Sequence, residues 1–329
     1  MFHMLTSRHS STNGSAEGFG LDSSNIKDFG DTAKLVGIMP QEAQTVMFKP
    51  LSCLFSQDKY IPLRYCPITI ELELTDQITD PVVIPGGATT NGFTTGNTST
   101  TWQLQQVQIK LDVCTLDNAL DNSYAQHMLS GNALPIHYST WVSQLQTVAG
   151  QDLNVNITRA LTRLKSVFVT LDKDIPTTGT RAVWWRRKWN DFFSPLAEQN
   201  AGGALTSLRD GEFDFSVQIG STRYPIYPIR SHAEAYYQLK KCLGVQASPV
   251  HSFDINGVEY RDYKFILGID TERMLEAGWT GLNTKSGSLL TVKFKFNSTD
   301  ALRQANRMHI VLVSDNILEI KDSGCSVYD

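Results

Sequence analysis

The feature that most constrains this chain is a strict alternation of apolar and polar residues, recurring in short runs from residue 68 to residue 320. In the clearest run Ile68, Ile70, Leu72 and Leu74 fall on one face, with Thr69, Glu71, Glu73 and Thr75 on the other. Successive side chains of a strand point to opposite sides, so a period of two sustained this long describes a half-buried strand and not a helix. Val107, Ile109, Leu111 and Val113 alternate with Gln108, Lys110 and Asp112, and Leu290, Val292, Phe294 and Phe296 alternate with Thr291, Lys293 and Lys295. Further strands are expected at 136–142, 155–157, 164–171, 213–219 and 263–267. The run 164–171 is apolar enough to lie between two layers. A nearly continuous apolar run from Met308 to Val313 precedes a closing strand at 317–320.

Helical spacing is confined to two places. Leu120, Tyr124 and Met128 stand at i, i+4 and i+8 within 117–129, with Gly131 as a stop. The second helix, 231–243, carries a capping box of Ser231 with Glu234 and ends at Gly244. Residues 1–50 are rich in Ser, Gly and Asp and read as an arm or loop, with one helical turn near 31–35. Residues 85–101 are small, polar and rich in Gly and Thr, which makes an exposed loop. Many strands, two helices and turn-rich links give an all-β sandwich or barrel. At 329 residues, two β-rich units of about 150 residues each are the natural division.

Composition narrows the function classes. A net charge of −4, from 29 basic and 33 acidic residues, argues against a protein that works by coating nucleic acid, so any genome contact is expected to be local. No window approaches the roughly 18 uninterrupted apolar residues of a membrane span. Cys53, Cys66, Cys114, Cys242 and Cys325 are odd in number and widely spaced, mostly inside apolar runs. They are expected to be buried thiols of a reducing compartment, with no disulfide framework. Residues 1–20 hold no apolar signal segment, which implies cytosolic synthesis. The sequons at Asn13, Asn97, Asn156 and Asn297 then read as accidental.

Taken in order, four segments resemble the double jelly-roll major capsid proteins of tailless double-stranded DNA viruses: large algal DNA viruses, virophages and polinton-like viruses. Tyr60-Ile61-Pro62-Leu63 leads into the strand at 68–74 as a bend of that family leads into a late strand of its first roll. The run 107–113, Leu116-Asp117 and 119–129 are similar to the strand, Asp-rich turn and helix that join the family's two rolls. Asn154-Val155-Asn156-Ile157 with 164–171 resembles the opening of the second roll. Gly287-Ser288-Leu289-Leu290-Thr291-Val292, 308–313 and Asn316-Ile317-Leu318-Glu319-Ile320 resemble its end. The resemblance covers roughly residues 50–329.

It implies two jelly-roll sandwiches side by side, the first incomplete: 1–50 as an arm or a remnant of first-roll strands, 51–132 as late first-roll strands with their closing helix, and 133–329 as the second roll. The front departs from the family by about a hundred missing residues, which makes this either an N-terminally shortened form or a compact relative. The implied function is a major capsid protein that forms homotrimers of six-sided outline and tiles an icosahedral shell around double-stranded DNA. The implied partners are neighbouring capsomers, penton or minor capsid proteins and, weakly, packaged DNA. The protein would be made in host cytoplasm or nucleus and end in the virion.

One local cluster stands out: Trp184, Trp185, Arg186, Arg187, Lys188 and Trp189, with Arg181 just before. Arg beside aromatic rings suits either base stacking and phosphate contact on an interior surface, or the anchoring of a subunit contact, and the second fits a shell protein better. His127, His137 and His232 have no zinc-site spacing, and Glu71 and Glu73 read as a solvated stripe. No nucleophile elbow, phosphate loop or dinucleotide fingerprint is present. No catalytic, cofactor or metal residues are therefore expected, and not an enzyme. The rival readings are a single-roll penton or minor capsid protein and a carbohydrate-binding tandem β-sandwich. An enzyme on a β scaffold ranks last.

Overall fold

Each strand that is apolar on one face must bury that face against a second layer, and the register of the ladders shows how this chain does so. The fold is described for residues 43, 45–47, 53–55, 59–73, 83–85, 93–98, 103–172, 194–195, 213–243, 260–261, 265–272, 281–285, 289–297 and 304–329 in a computed structural model. A short 3-10 turn at Cys53–Phe55 is followed by strands β1 (Val83–Pro85) and β2 (Phe93–Thr98), which pair with each other, and by helix α1 (Asn118–Leu129). Then come β3 (Leu134–Thr147), β4 (Asp152–Ile157), β5 (Leu164–Asp172), β6 (Phe213–Ile219), β7 (Thr222–Ile229) and helix α2 (His232–Cys242). The chain closes with β8 (Ile266–Asp270), β9 (Leu290–Phe296), β10 (Arg307–Lys321) and β11 (Gly324–Tyr328).

The eight strands β3 to β10 pair first with last: β3 with β10, β4 with β9, β5 with β8 and β6 with β7, all antiparallel. That is one long ribbon doubled on itself. Rolling the ribbon brings β10 beside β5 and β9 beside β6. The result is two sheets, β3–β10–β5–β8 and β4–β9–β6–β7, the strand order of a jelly roll, with β11 added along the end of β10. The protein is thus all-β in the main: the described residues hold these two antiparallel sheets, the separate β1–β2 pair and two α-helices.

Burial follows the pattern of the sequence. Leu153, Val155 and Ile157 of β4 are buried and alternate with exposed Asp152, Asn154 and Asn156. In β9 the buried Leu290, Val292 and Phe294 meet them across the ladder, and Phe296 pairs with Phe213 of β6. β5 is buried along nearly its whole length, as expected of a strand held between β10 and β8. The interior is built on phenylalanines: Phe213 stacks on Phe294 with centroids 5.6 Å apart and meets Phe265 edge-on, also at 5.6 Å. A smaller apolar cluster of Cys66, Met128, Ile136, Leu318 and Ile320 lies where β3 begins and β10 ends.

Both helices start as the sequence predicts. Asp117 caps α1 by accepting from the Leu120 amide at 2.7 Å. Ser231 caps α2 by accepting from the Glu234 amide at 3.1 Å, and Glu234 returns the bond one residue early, accepting from the Arg230 amide at 3.3 Å. The stripe expected on α1 is incomplete: Met128 is buried, whereas Leu120 is exposed.

Several expectations need correction. Residues 68–73 and 107–113 are not strands, because among the described residues neither segment has a ladder partner; alternation marks which side chains a strand buries only once a neighbour is there. The expected loop at 85–101 contains β2, paired back onto β1. The strand expected around 263–267 runs from Ile266 to Asp270, its ends set by pairing with β5. The two closing strands are one, β10. Ser314 and Asp315 read as a break, but Asp315 accepts from Ser139 Oγ at 2.8 Å, so the ladder passes through. Cys114 and Cys325 are exposed rather than buried: Cys114 follows the unpaired segment and Cys325 lies on the outer strand β11. Residues 31–35 and the cluster 181–189 fall outside the described residues.

Candidate assembly surfaces

The front segments are moored to the roll at one corner. The Lys59 ammonium donates to the Pro135 carbonyl at 3.0 Å, Arg64 pairs with Asp121 of α1 at 2.9 Å, and Ile61 and Tyr65 pack on the small cluster around Met128 and Ile320. Beyond these contacts Ile70 and Leu72, and the apolar residues of 107–113, lie in solvent. Val107 is 65% exposed, Ile109 and Leu111 are 59%, and Val113 is 74%. Four aliphatic side chains in one short run, all largely bare, form the kind of surface that marks an interaction site. Covering one such side chain is worth roughly 1.5–3 kcal/mol.

A second apolar surface lies on β7, where Ile226 and Tyr227 are 77% and 83% exposed. β7 is the outer strand of its sheet, and Pro225 and Pro228 within it lack the amide that an added strand would need. Contact there must come through side chains and not through ladder extension. Sequence reasoning missed this surface; the signal available was Tyr224-Pro225-Ile226-Tyr227-Pro228, two prolines bracketing bulky apolar residues.

Between the end of β3 and β4 an open groove of about 380 Å³ is lined by residues 146–149 and 152–156. Its walls present the amides of Gln146, Asn154 and Asn156 and hold no aromatic ring. Asn156 is already engaged: its Oδ1 accepts from Thr291 Oγ1 at 2.9 Å, and its carbonyl accepts from Gln144 Nε2 at 3.2 Å.

A charge cluster lies where β5, β10 and residue 272 meet. Lys165 Nζ is 3.1 Å from Glu272 and 3.4 Å from Asp315, and Arg163 Nε donates to the Asp315 carbonyl at 3.4 Å. Burial acts to lower the Lys165 pKa, but the Asp315 and Glu272 carboxylates outweigh it and hold the ammonium above its ordinary value. The Asp315 side chain is nearly buried, so these contacts lock the ladder together. Among the described residues no group of three or more His, Cys, Asp or Glu stands in position to hold a metal. His127 lies in the last turn of α1, His137 is exposed on β3, and His232 lies against the Tyr260 ring at 5.5 Å. Glu71 and Glu73 are exposed.

No protein-family model matches the chain, and no curated protein does. Several solved viral structures are similar to it. The PBCV-1 virus capsid shares 10% identity over 62% of this chain and 54% of its own, with a TM-score of 0.32. PBCV-1 VP54, fitted into a reconstruction of the virophage Sputnik, shares 14% over 65% of this chain and 55% of its own, at 0.33. The Faustovirus major capsid protein shares 10% over 61% and 36%, at 0.37. The chain spans about half the length of the PBCV-1 chains it matches.

Proposed function

We propose that this chain is a major capsid protein, a double jelly-roll subunit that associates as homotrimers of six-sided outline and tiles a shell around double-stranded DNA. The observation that carries the reading is a jelly roll accompanied by a bare apolar run, 107–113, that leads into helix α1. Jelly rolls serve in viral shells and in lectins. A lectin works as a sugar platform on an otherwise solvated surface, whereas a subunit of a closed ring carries apolar surface that a neighbouring copy must cover.

In this reading residues 51–132 are the late part of a first roll and 133–329 the second. The segment 107–113 completes a sheet or a subunit contact on assembly, and Ile226 with Tyr227 forms a second contact. Arg181, Trp184, Trp185, Arg186, Arg187, Lys188 and Trp189 anchor a further subunit contact. The assembled protein resides in the virion, beside penton or minor capsid proteins.

Sedimentation and negative-stain imaging of the purified chain test this directly. Trimers with a hexagonal outline are expected. A monomer that binds glycans would overturn the reading in favour of a carbohydrate-binding sandwich, and five-fold rings in favour of a penton protein. Replacing Trp184, Trp185 and Trp189 together by Ala is expected to weaken the trimer at every salt concentration; weakened DNA binding with intact trimers would instead assign the cluster to the genome.

A further inference from the structure

Two thiols far apart in sequence meet at the corner where the front segments are moored. Cys325 lies on β11, opposite the buried Ile320 of β10, and its Sγ donates to the Tyr65 carbonyl at 3.4 Å. The next residue is Cys66, buried in the small cluster with Met128, Ile136, Leu318 and the same Ile320 that Cys325 faces across the ladder. One thiol is therefore open to solvent, and the other is buried one residue along from the carbonyl that the first one touches. A disulfide needs sulfurs about 2.05 Å apart, so the pair closes only with a rotation of the Cys325 side chain on its outer strand.

We infer that Cys66 and Cys325 form a redox pair that closes into an intramolecular disulfide when a low-molecular-weight disulfide of the oxidised-glutathione class reaches the exposed Cys325. The Cys325 thiol releases its proton to solvent and its sulfur attacks the small disulfide, whose S–S bond breaks to expel one thiolate and leave a mixed disulfide on Cys325. Cys66 then loses its proton to solvent and attacks the Cys325 sulfur, expelling the second thiolate as the protein S–S bond forms. The two protein thiols are oxidised by two electrons, and one small disulfide is reduced to two small thiols. Burial and the neighbouring thiol raise the Cys66 pKa to about 11, so Cys66 enters second, as the resolving thiol, and Cys325 first. The bond ties 59–66, and with it the start of the 68–73 run, to the last two strands of the roll. It is independent of the shell reading: reduced protein keeps a movable front, and oxidised protein has it fastened.

The test exposes the full native chain to oxidised glutathione, quenches free thiols, and maps peptides without reduction. The expected product is a peptide joining Cys66 to Cys325, with the intact mass lower by two hydrogens and the melting midpoint raised by roughly 5 °C. Dithiothreitol should reverse all three. Cys114→Ser should retain the link. Cys325→Ser, at an exposed position, should abolish both link and shift, and Cys66→Ala should leave Cys325 as a stable glutathione adduct. A persistent adduct on Cys325 in the unsubstituted chain, or a link from either cysteine to Cys53, Cys114 or Cys242, would overturn the inference.

Discussion

The hydroxyl of Tyr260 is fully buried and donates to the Ile266 carbonyl at 2.6 Å, while the ring meets Phe265 at 5.6 Å. Removing only the oxygen, as in Tyr260→Phe, keeps the ring and strands the carbonyl, which should cost about 1–2 kcal/mol in a urea unfolding curve. Titration at this scale gives a second expectation. Burial raises the pKa of Tyr260, of the Cys242 thiol and of Cys66, the last from 9.0 to about 11. In each case the folded protein retains a proton that the unfolded chain releases. Their stabilising contribution is complete below about pH 9 and is lost as pH rises through the folded values. Cys66 acts between pH 9 and about 11, and Cys242 and Tyr260 continue above that. Each group lowers stability by about 1.4 kcal/mol per pH unit once the unfolded chain ionises it. Denaturation under reducing conditions at pH 8, 9 and 10 should show the decline, and Cys242→Ala should make it shallower; a flat profile would contradict it.

At the scale of elements, one backbone contact is intolerant of any side chain. Gly281 has φ +150°, and a Cβ there would meet the Arg163 carbonyl carbon at 2.6 Å, beside the paired Leu164 and Leu282, whose amides each donate to the other's carbonyl at 2.9 Å. Gly281→Ala should therefore cost about 2–4 kcal/mol, measurable as a lower melting midpoint. The elements that sequence made legible, β4, β5, β6 and β9, carry a clean period or a continuous apolar run between turn residues. β10 reads as two strands because Ser314 and Asp315 look like a break; nothing local shows that Ser139 and Lys165, from β3 and β5, will both reach one oxygen of the carboxylate. β7 was missed because prolines and bulky residues crowd its short run. The opposite error fell on 107–113, where the pattern is that of a strand and the partner is lacking. The candidate surfaces were least legible, since exposure is a property of what the whole chain leaves uncovered.

For the whole molecule, assembly and stability should separate. Ile109 is exposed, so Ile109→Asp should change the melting of the isolated chain by no more than about 0.5 kcal/mol while weakening self-association by at least about tenfold, or 1.4 kcal/mol. Equal self-association would remove 107–113 from the interface. Hydrogen exchange offers an independent view: the amides of 107–113 should exchange quickly in dilute monomer and slow on assembly, whereas β10, flanked on both sides, should be protected in either state. The pairing of β3 with β10 has a final consequence. Leu134, where the roll begins, is in register with Ile320, where it ends, so polypeptide enters and leaves through a single doorway. A module built this way can be copied in tandem, fused to a neighbour or permuted by joining its ends, and neither sheet has to bend to accommodate the splice.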